Sequence, residues 1–442
     1  MLAKKYYKDN LKLAYPIILS SLGQSIVQFF DTLMVGQVGK EPLAAVAFAS
    51  AIIVVALVFG QGIGMALTPL VGQSYARKET RKVSLLFQNA LSLNIIIGTS
   101  IVVLLLLLIP VLPHLGQDET VIRLAIPYFI TTAISLLPAQ IFLSFRHFME
   151  GVGNTKTTMQ IIISANILNI LLNYIFIFGK FGCPPLGAFG AGLSTLISRC
   201  LMPIAYFLYV YFHKHYRRYF LFFNRKSLSA YWHKSLIKLG LPIAIQLTLE
   251  SISFTMTTIM MGWFSTIVLA AYQIVLTFIT MTFQIACGVA SATTILVSHC
   301  YGRKDKDNLA KYAKTGLHLS FVSMGFFATV FILFPHHLAA FFNKDPQVIE
   351  QAAELFIVAG FFQLLDGAQA TLLGALRGFN DVAKPMLYSF ISYICIALPT
   401  AYILGFTAGL GPCGALAGIA TGLLFASIFY YRRLNISINR IK

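Results

Sequence analysis

Twelve apolar stretches follow one another along the chain with only short polar breaks between them. They lie near residues 13–35, 43–74, 85–109, 124–148, 158–179, 187–212, 236–262, 266–299, 312–335, 348–375, 385–406 and 410–431. A helix of about 20 apolar residues crosses the hydrocarbon of a bilayer, and each stretch reaches that length. In lipid a spanning segment has to satisfy its own backbone, which a helix does. The expected fold is an all-α polytopic membrane protein with twelve transmembrane helices. Only 11% of the 442 residues are charged, against about 25% in a soluble domain. So little charge could not cover a water-facing surface.

The net charge of +18 invites a nucleic-acid partner, but its distribution points to a membrane. Of the 33 Lys and Arg, the odd-numbered loops hold only Lys40, Arg123, Lys180 and Lys344, and Arg199 lies within span six. The rest fall at the two termini, in the even-numbered loops or within three residues of those loops, in clusters such as "ARKETRK" and "HKHYRRYFLFFNRK". That asymmetry follows the positive-inside rule and places both termini in the cytoplasm. The clusters then lie beside anionic lipid, and no nucleic-acid partner is expected. The six cysteines show no CxxC spacing and read as packing residues.

Sliding the sequence against itself by 226 positions reveals a duplication. "KLAYP" (12–16) falls on "KLGLP" (238–242), "TLMVG" (32–36) on "TIMMG" (258–262), and "SYARK" (74–78) on "CYGRK" (300–304). After one residue of slippage the same offset returns at "AGLST" (191–195) and "AGIAT" (417–421). The chain is expected to form two pseudo-symmetric six-helix bundles, 1–212 and 236–442, joined by a basic cytoplasmic linker at 213–235. Six spans is an even number, so the two are parallel repeats, an arrangement used by secondary transporters that rock one bundle against the other.

Polar residues inside the spans suggest where such a protein would act. Of fifteen acidic residues, Asp31, Glu250 and Asp366 sit deep within spans. A charge there costs roughly 3 kcal/mol on the most lenient scale. Gln24, Gln28 and Asp31 share one helical face, as do Asn166, Asn169 and Asn173 in span five. Gln246, Glu250 and Thr257 form a stripe in span seven; Gln273, Thr277, Thr280 and Gln284 form one in span eight; and Gln363 lies one turn from Asp366. Isolated amides and hydroxyls also join helices, at about 0.6 kcal/mol each. The carboxylates are different, because Arg199 is the one basic residue these spans offer them. An acid buried without a partner favours its neutral, ion-bound form, which links ion binding to conformation. Under the repeat, Glu250 falls on Gln24 and Asp31 on Thr257, so the scaffold is duplicated but its charges are not.

The motifs "PIILSSLGQSIVQFFDTLMVGQVG", "PLVGQSYARK", "EGVGNTKT", "QLTLESISF", "AAYQIV" and "LLDGAQATLLGALRGFND" occur in this order over nearly the whole chain. In them the chain resembles the multidrug and toxic compound extrusion (MATE) antiporters, in particular the bacterial NorM-type branch. The resemblance implies a secondary active antiporter of the cytoplasmic membrane, exporting organic cations and amphipathic drugs against inward Na⁺ or H⁺. It implies a cation-binding pair, Glu250 and Asp366, in the C-terminal lobe. Phe283 stands where some relatives carry a tyrosine hydroxyl. It further implies a protonatable cluster of Asp31, Asn169 and Asn173 in the N-terminal lobe. The substrate cavity would then be lined by Gln24, Gln28, Gln246, Thr257, Gln273, Gln284 and Met281, the last giving adaptable apolar contact.

The alternative is a lipid-linked sugar flippase or metabolite exporter of the same superfamily. An acid-rich interior fits a pyrophosphate cargo poorly. No enzyme is expected, since His114, His336 and His337 show no HExxH or similar spacing. No cofactor is expected beyond the coupling ion, and no metal beyond Na⁺ at Glu250 and Asp366. One chain with two lobes suffices for alternating access, so a monomer is expected.

Overall fold

A computed structural model describes residues 3–220 and 222–440. Among them are twelve helices long and apolar enough to cross a membrane: α1 Lys4–Val38, α2 Lys40–Ala76, α3 Thr80–Leu107, α4 Glu119–Gly151, α5 Thr155–Phe178, α6 Gly187–Phe212, α7 Ala230–Phe264, α8 Thr266–Arg303, α9 Lys306–Leu333, α10 Pro346–Gly378, α11 Ala383–Thr407 and α12 Gly411–Asn439. The twelve-helix fold expected from the apolar runs is the one observed, and the chain is a multi-pass membrane protein. Large apolar side chains such as Val322, Phe326 and Phe361 are more than half exposed. Such a surface belongs in hydrocarbon.

Sequence chemistry sets the helix ends. Asp118, Asn154, Ser265, Asp305 and Asp345 each accept a hydrogen bond from a backbone N–H of the helix they precede, which satisfies an otherwise orphaned donor. Asp305 lies between α8 and α9, and hydrogen bonds from the Asn308 side chain and backbone hold its carboxyl below the usual carboxylate range. Short helices follow α3 and α9, at Ile109–Leu115 and Pro335–Phe342. Their first residues are again 226 positions apart.

The chain divides into two compact units, one running from Leu19 to Ala244 and the other comprising residues up to Ile18 and from Ile245 onward. The division follows the duplication but not its ends. It cuts α1 after residue 18 and α7 after residue 244, which are equivalent positions in the repeat. The linker expected at 213–235 packs with the first of these units. Tyr219 and Phe223 join an aromatic cluster around Phe87 and Phe148, and Gln88 Nε2 donates to the Asn224 carbonyl at 2.6 Å.

Two repeat-equivalent glycines explain why the first helices are cut. A Cβ on Gly62 of α2 would lie 2.4 Å from Ala244 Cα, and one on Gly288 of α8 would lie 2.3 Å from Ile18 Cγ1. Residues 62 and 288, and residues 18 and 244, are each 226 apart. The opening turns of α7 therefore pack on α2, and those of α1 pack on α8. Tyr6 Oη also donates to Asn308 Oδ1 at 2.6 Å and Tyr312 Oη to Asp9 Oδ2 at 2.7 Å, fastening α1 to α9. Gly62→Ala should lower the melting temperature in detergent, since overpacking a tight contact costs about 1–3 kcal/mol. An unchanged melt would rule out this close approach.

Within the unit that contains Ile245 onward, α7 to α12 pack around Met261, Tyr272, Phe331, Phe356, Phe362, Tyr393 and Leu416. α11 departs from regular geometry and is π-helical at Ile391–Ala397 and Ile403–Thr407. Each π turn inserts an extra residue, a feature that recurs at functional sites. α12 comes close to it through Gly418 and Gly422, which face Ala401 and the Ser392–Ala397 stretch.

Candidate functional site

Each unit holds its own buried polar cluster. In the unit from Leu19 to Ala244, Asp31 of α1 accepts a hydrogen bond from Asn173 Nδ2 of α5. The same nitrogen donates to Asn169 Oδ1 at 3.1 Å. The i, i+4 spacing puts the two amides on one face of α5, and both are buried. The structure thus brings together the three residues Asp31, Asn169 and Asn173. Arg199 of α6 is an electrostatic neighbour of Asp31, and its Nη1 donates to Ser135 Oγ at 2.8 Å. Ser135 is where α4 breaks between Ile134 and Leu136. Tyr128, whose hydroxyl is 3.1 Å from Ser50 Oγ, completes the surroundings.

In the other unit Glu250 of α7 and Asp366 of α10 are 8% and 1% exposed. They are electrostatic neighbours, and the ring contact between Phe254 and Phe362 shows why. Those rings meet with centroids 6.1 Å apart. α7 and α10 are spans seven and ten and run in opposite directions. Four residues back from Phe254 is Glu250, and four residues on from Phe362 is Asp366. Each acid is therefore about one helical turn from that contact and on the same side of it, which accounts for their proximity. Below them, Gln246 Nε2 donates to Tyr430 Oη at 3.3 Å, and Tyr430 Oη lies 2.6 Å from Ser389 Oγ.

The other expected residues are distributed differently. Thr257 is buried, but its hydroxyl donates back to the Ser253 carbonyl at 2.8 Å. Phe283 packs with Ala286, Ala290, Met324 and Ala370, one turn from Asp366 along α10. Gln24, Gln28, Gln273 and Met281 are exposed and Gln284 is partly so.

One expectation about charge needs correction. Arg199 is not the one basic residue within reach of a deep acid. Arg377, in the last turn of α10, is an electrostatic neighbour of Glu250, and its Nη2 donates to Gln246 Oε1 at 3.5 Å. An arginine placed by its Cα near the helix end carries its charge several ångströms away, along an apolar stem. Another acid is buried at the end of a span rather than deep within one. Glu150, in the last turn of α4, is 4% exposed; it accepts from Arg146 Nε at 2.8 Å and lies 3.4 Å from His147 Nδ1. By sequence it belongs to the loop motif "EGVGNTKT", and its burial comes from the packing of α4. Tyr393 of α11, whose hydroxyl accepts from Gln369 Nε2 at 2.8 Å, also gave no periodic signal as one tyrosine in an apolar span. Among the described residues no three of His, Cys, Asp or Glu are grouped to hold a metal ion.

The fold and these two clusters define a class: internally duplicated membrane proteins of twelve helices with the architecture of the MATE transporters. A solved eukaryotic MATE transporter, AtDTX14, superposes with a TM-score of 0.85 at 18% identity, covering 99% of both chains. The outward-facing conformation of a multidrug resistance MATE family transporter gives 0.88 at 19% identity over 99% of this chain and 96% of that one. The family model MatE matches twice, at residues 16–175 and 242–403, and the two matches begin 226 residues apart. The chain belongs to the MatE family. It is 33% identical over 436 residues to a probable multidrug resistance protein NorM of Oceanobacillus iheyensis, covering 97% of each chain. To the multidrug resistance protein NorM of Vibrio cholerae it is 29% identical over 98% of this chain and 95% of the relative.

Proposed function

We propose that the protein is a secondary active antiporter that exports organic cations and amphipathic drugs across the cytoplasmic membrane, with both termini inside. Export is driven by inward Na⁺ or H⁺ and proceeds by alternating access of the two repeats. The observation that carries this reading is the pair Glu250 and Asp366, two carboxyl groups side by side in a spanning region with one arginine, Arg377, to share. Two acids with one base leave a negative charge that only a bound cation or proton can neutralise, so the site alternates between ion-loaded and ion-free forms. The names of the NorM relatives support the drug as cargo.

Asp31 has a separate role in this scheme. It is hydrogen-bonded by Asn173 and faces Arg199, so its charge is balanced within its own unit. Protonation of Asp31 would release Arg199 and the α4 break at Ser135 to which that arginine is bound. Right-side-out vesicles loaded with a fluorescent cationic dye test the scheme directly. Replacing sodium by choline at constant pH should remove most efflux if Na⁺ drives it, and collapsing the pH gradient should do so if H⁺ drives it. Asp31→Asn should flatten the pH profile of transport. A profile identical to that of the native protein would exclude a proton role for Asp31.

A further inference from the structure

One corner of the repeat is closed in one unit and open in the other. Under the offset of 226, Glu79, Lys82 and Leu85 at the start of α3 correspond to Asp305, Asn308 and Lys311 at the start of α9. Trp232 in the first turn of α7 corresponds to Tyr6 in the first turn of α1. In the unit with α9 these residues bond to one another. Asp305 accepts from the Asn308 backbone and side chain, and Tyr6 Oη donates to Asn308 Oδ1 at 2.6 Å. Lys311 Nζ lies over the Tyr6 ring, 5.7 Å from its centroid. In the unit with α3, Glu79 makes no side-chain hydrogen bond to the helix start, and an indole stands where Tyr6 brings its hydroxyl. Glu79, Thr80, Arg81, Lys82, Leu85 and Trp232 line a surface cleft of about 420 Å³ there.

The cleft combines free positive charge with an apolar wall at the edge of the hydrocarbon. Arg81 is exposed and, among the described residues, pairs with no acid. Lys82 Nζ lies 3.4 Å from Glu79 in a partly exposed pair, which holds weakly. Leu85 follows Arg81 by about one turn and opens the apolar run of α3. Trp232 packs against the aromatic cluster around Phe87, and a tryptophan at this depth suits the membrane interface. The linker beside the cleft is a fixed surface, not a tether. Ser84 Oγ donates to the Tyr219 carbonyl. Asn89 Nδ2 donates to the Ser227 carbonyl at 3.1 Å, and the Ser229 N–H donates to Asn89 Oδ1 at 2.9 Å. Residues 213–235 carry six Lys and Arg and no acid, and residues 77–82 carry four against Glu79.

We infer that this cleft seats one anionic phospholipid, phosphatidylglycerol, from the leaflet on the side of both termini. Its phosphate lies on Arg81 and Lys82, a headgroup hydroxyl on Glu79, and an acyl chain along Leu85 and Trp232. The guanidinium fork matches two phosphate oxygens, and a basic cluster beside a span attracts anionic lipid. A headgroup ammonium would add a cation to a corner that is already basic, so phosphatidylethanolamine fits it less well. A free phosphate has no chain to cover the apolar wall. In the other unit Asp307 stands in place of Arg81 and Tyr6 occupies the corner, so one such site is expected per chain. Such a site is independent of what the protein transports.

The full chain in detergent, titrated with phosphatidylglycerol, phosphatidylethanolamine or phosphatidylcholine of the same acyl chains and read by native mass spectrometry, tests the site. One phosphatidylglycerol should stay bound at concentrations where neither of the other lipids does. Arg81→Gln should weaken that binding about tenfold, the loss of one charge-assisted contact. Arg217→Gln, elsewhere in the linker, should change it little. Lys82→Asn with Trp232→Tyr rebuilds the closed corner of the other unit and should abolish the bound lipid without lowering the melting temperature. Arg81→Gln alters an exposed side chain, so it remains informative if the double variant misfolds. Equal retention of the three lipids, or a preference for phosphatidylethanolamine, would overturn the site. So would phosphatidylglycerol binding that Arg81→Gln leaves unchanged, or that Arg217→Gln weakens as much.

Discussion

Glu250→Gln should reduce ion-driven dye efflux to the level of vesicles lacking the protein, while equilibrium binding of the dye persists. The glutamine keeps the volume and polarity of a residue that is 8% exposed, so the helices should still pack. It cannot carry the charge that a cation or proton neutralises, so ion binding no longer distinguishes one conformation from another. A ligand without that differential affinity shifts no equilibrium, however tightly it binds. Asp366→Asn should behave alike, because the two acids are electrostatic neighbours, each about one turn from the Phe254–Phe362 contact. Efflux at native rates in either variant, with normal expression, would show that the second unit does not couple the ion.

The second large effect is on stability. Arg146→Ala leaves the carboxyl group of Glu150, 4% exposed, without the guanidinium beside it and with the His147 ring 3.4 Å away. Removing one partner of a buried pair costs about 3–5 kcal/mol, because the remaining charge is uncompensated. The variant should melt far below the native protein. Replacing both groups by apolar residues, Arg146→Met with Glu150→Leu, should recover most of the loss, since a well-packed apolar pair is often as stable as the ion pair. A double variant no more stable than the single one would mean that Glu150 also holds contacts beyond its pair.

The sequence marked residue types and left their partners unread. Asp31, Asn169 and Asn173 stood out because helical spacing puts the two amides on one face, and they do meet. Glu250 and Asp366 stood out because a carboxylate in an apolar run is expensive wherever it points. Arg377 did not stand out. In sequence it belongs to the basic end of a span, and its charge reaches the acid only through the length of its side chain. Tyr393 was invisible for another reason: the π-helical turns of α11 shift the faces of that helix, so regular periodicity misplaces it.

The amino-acid sequence by itself determined that the chain crosses the membrane twelve times and that it contains one six-helix plan twice. Both conclusions follow from rules with no spatial freedom in them. Apolar length matches hydrocarbon thickness, and a constant offset of 226 positions preserves register. Which helix lies against which has no such local signature, and there the tertiary structure decided. The opening turns of α1 and α7 run without a break into the rest of those helices. They pass into the opposite compact units because Gly288 and Gly62 let Ile18 and Ala244 approach to distances that any Cβ would forbid. The same holds for the polar surroundings of Glu250, where Arg377, Gln246 and Tyr430 come together only after the helices have packed.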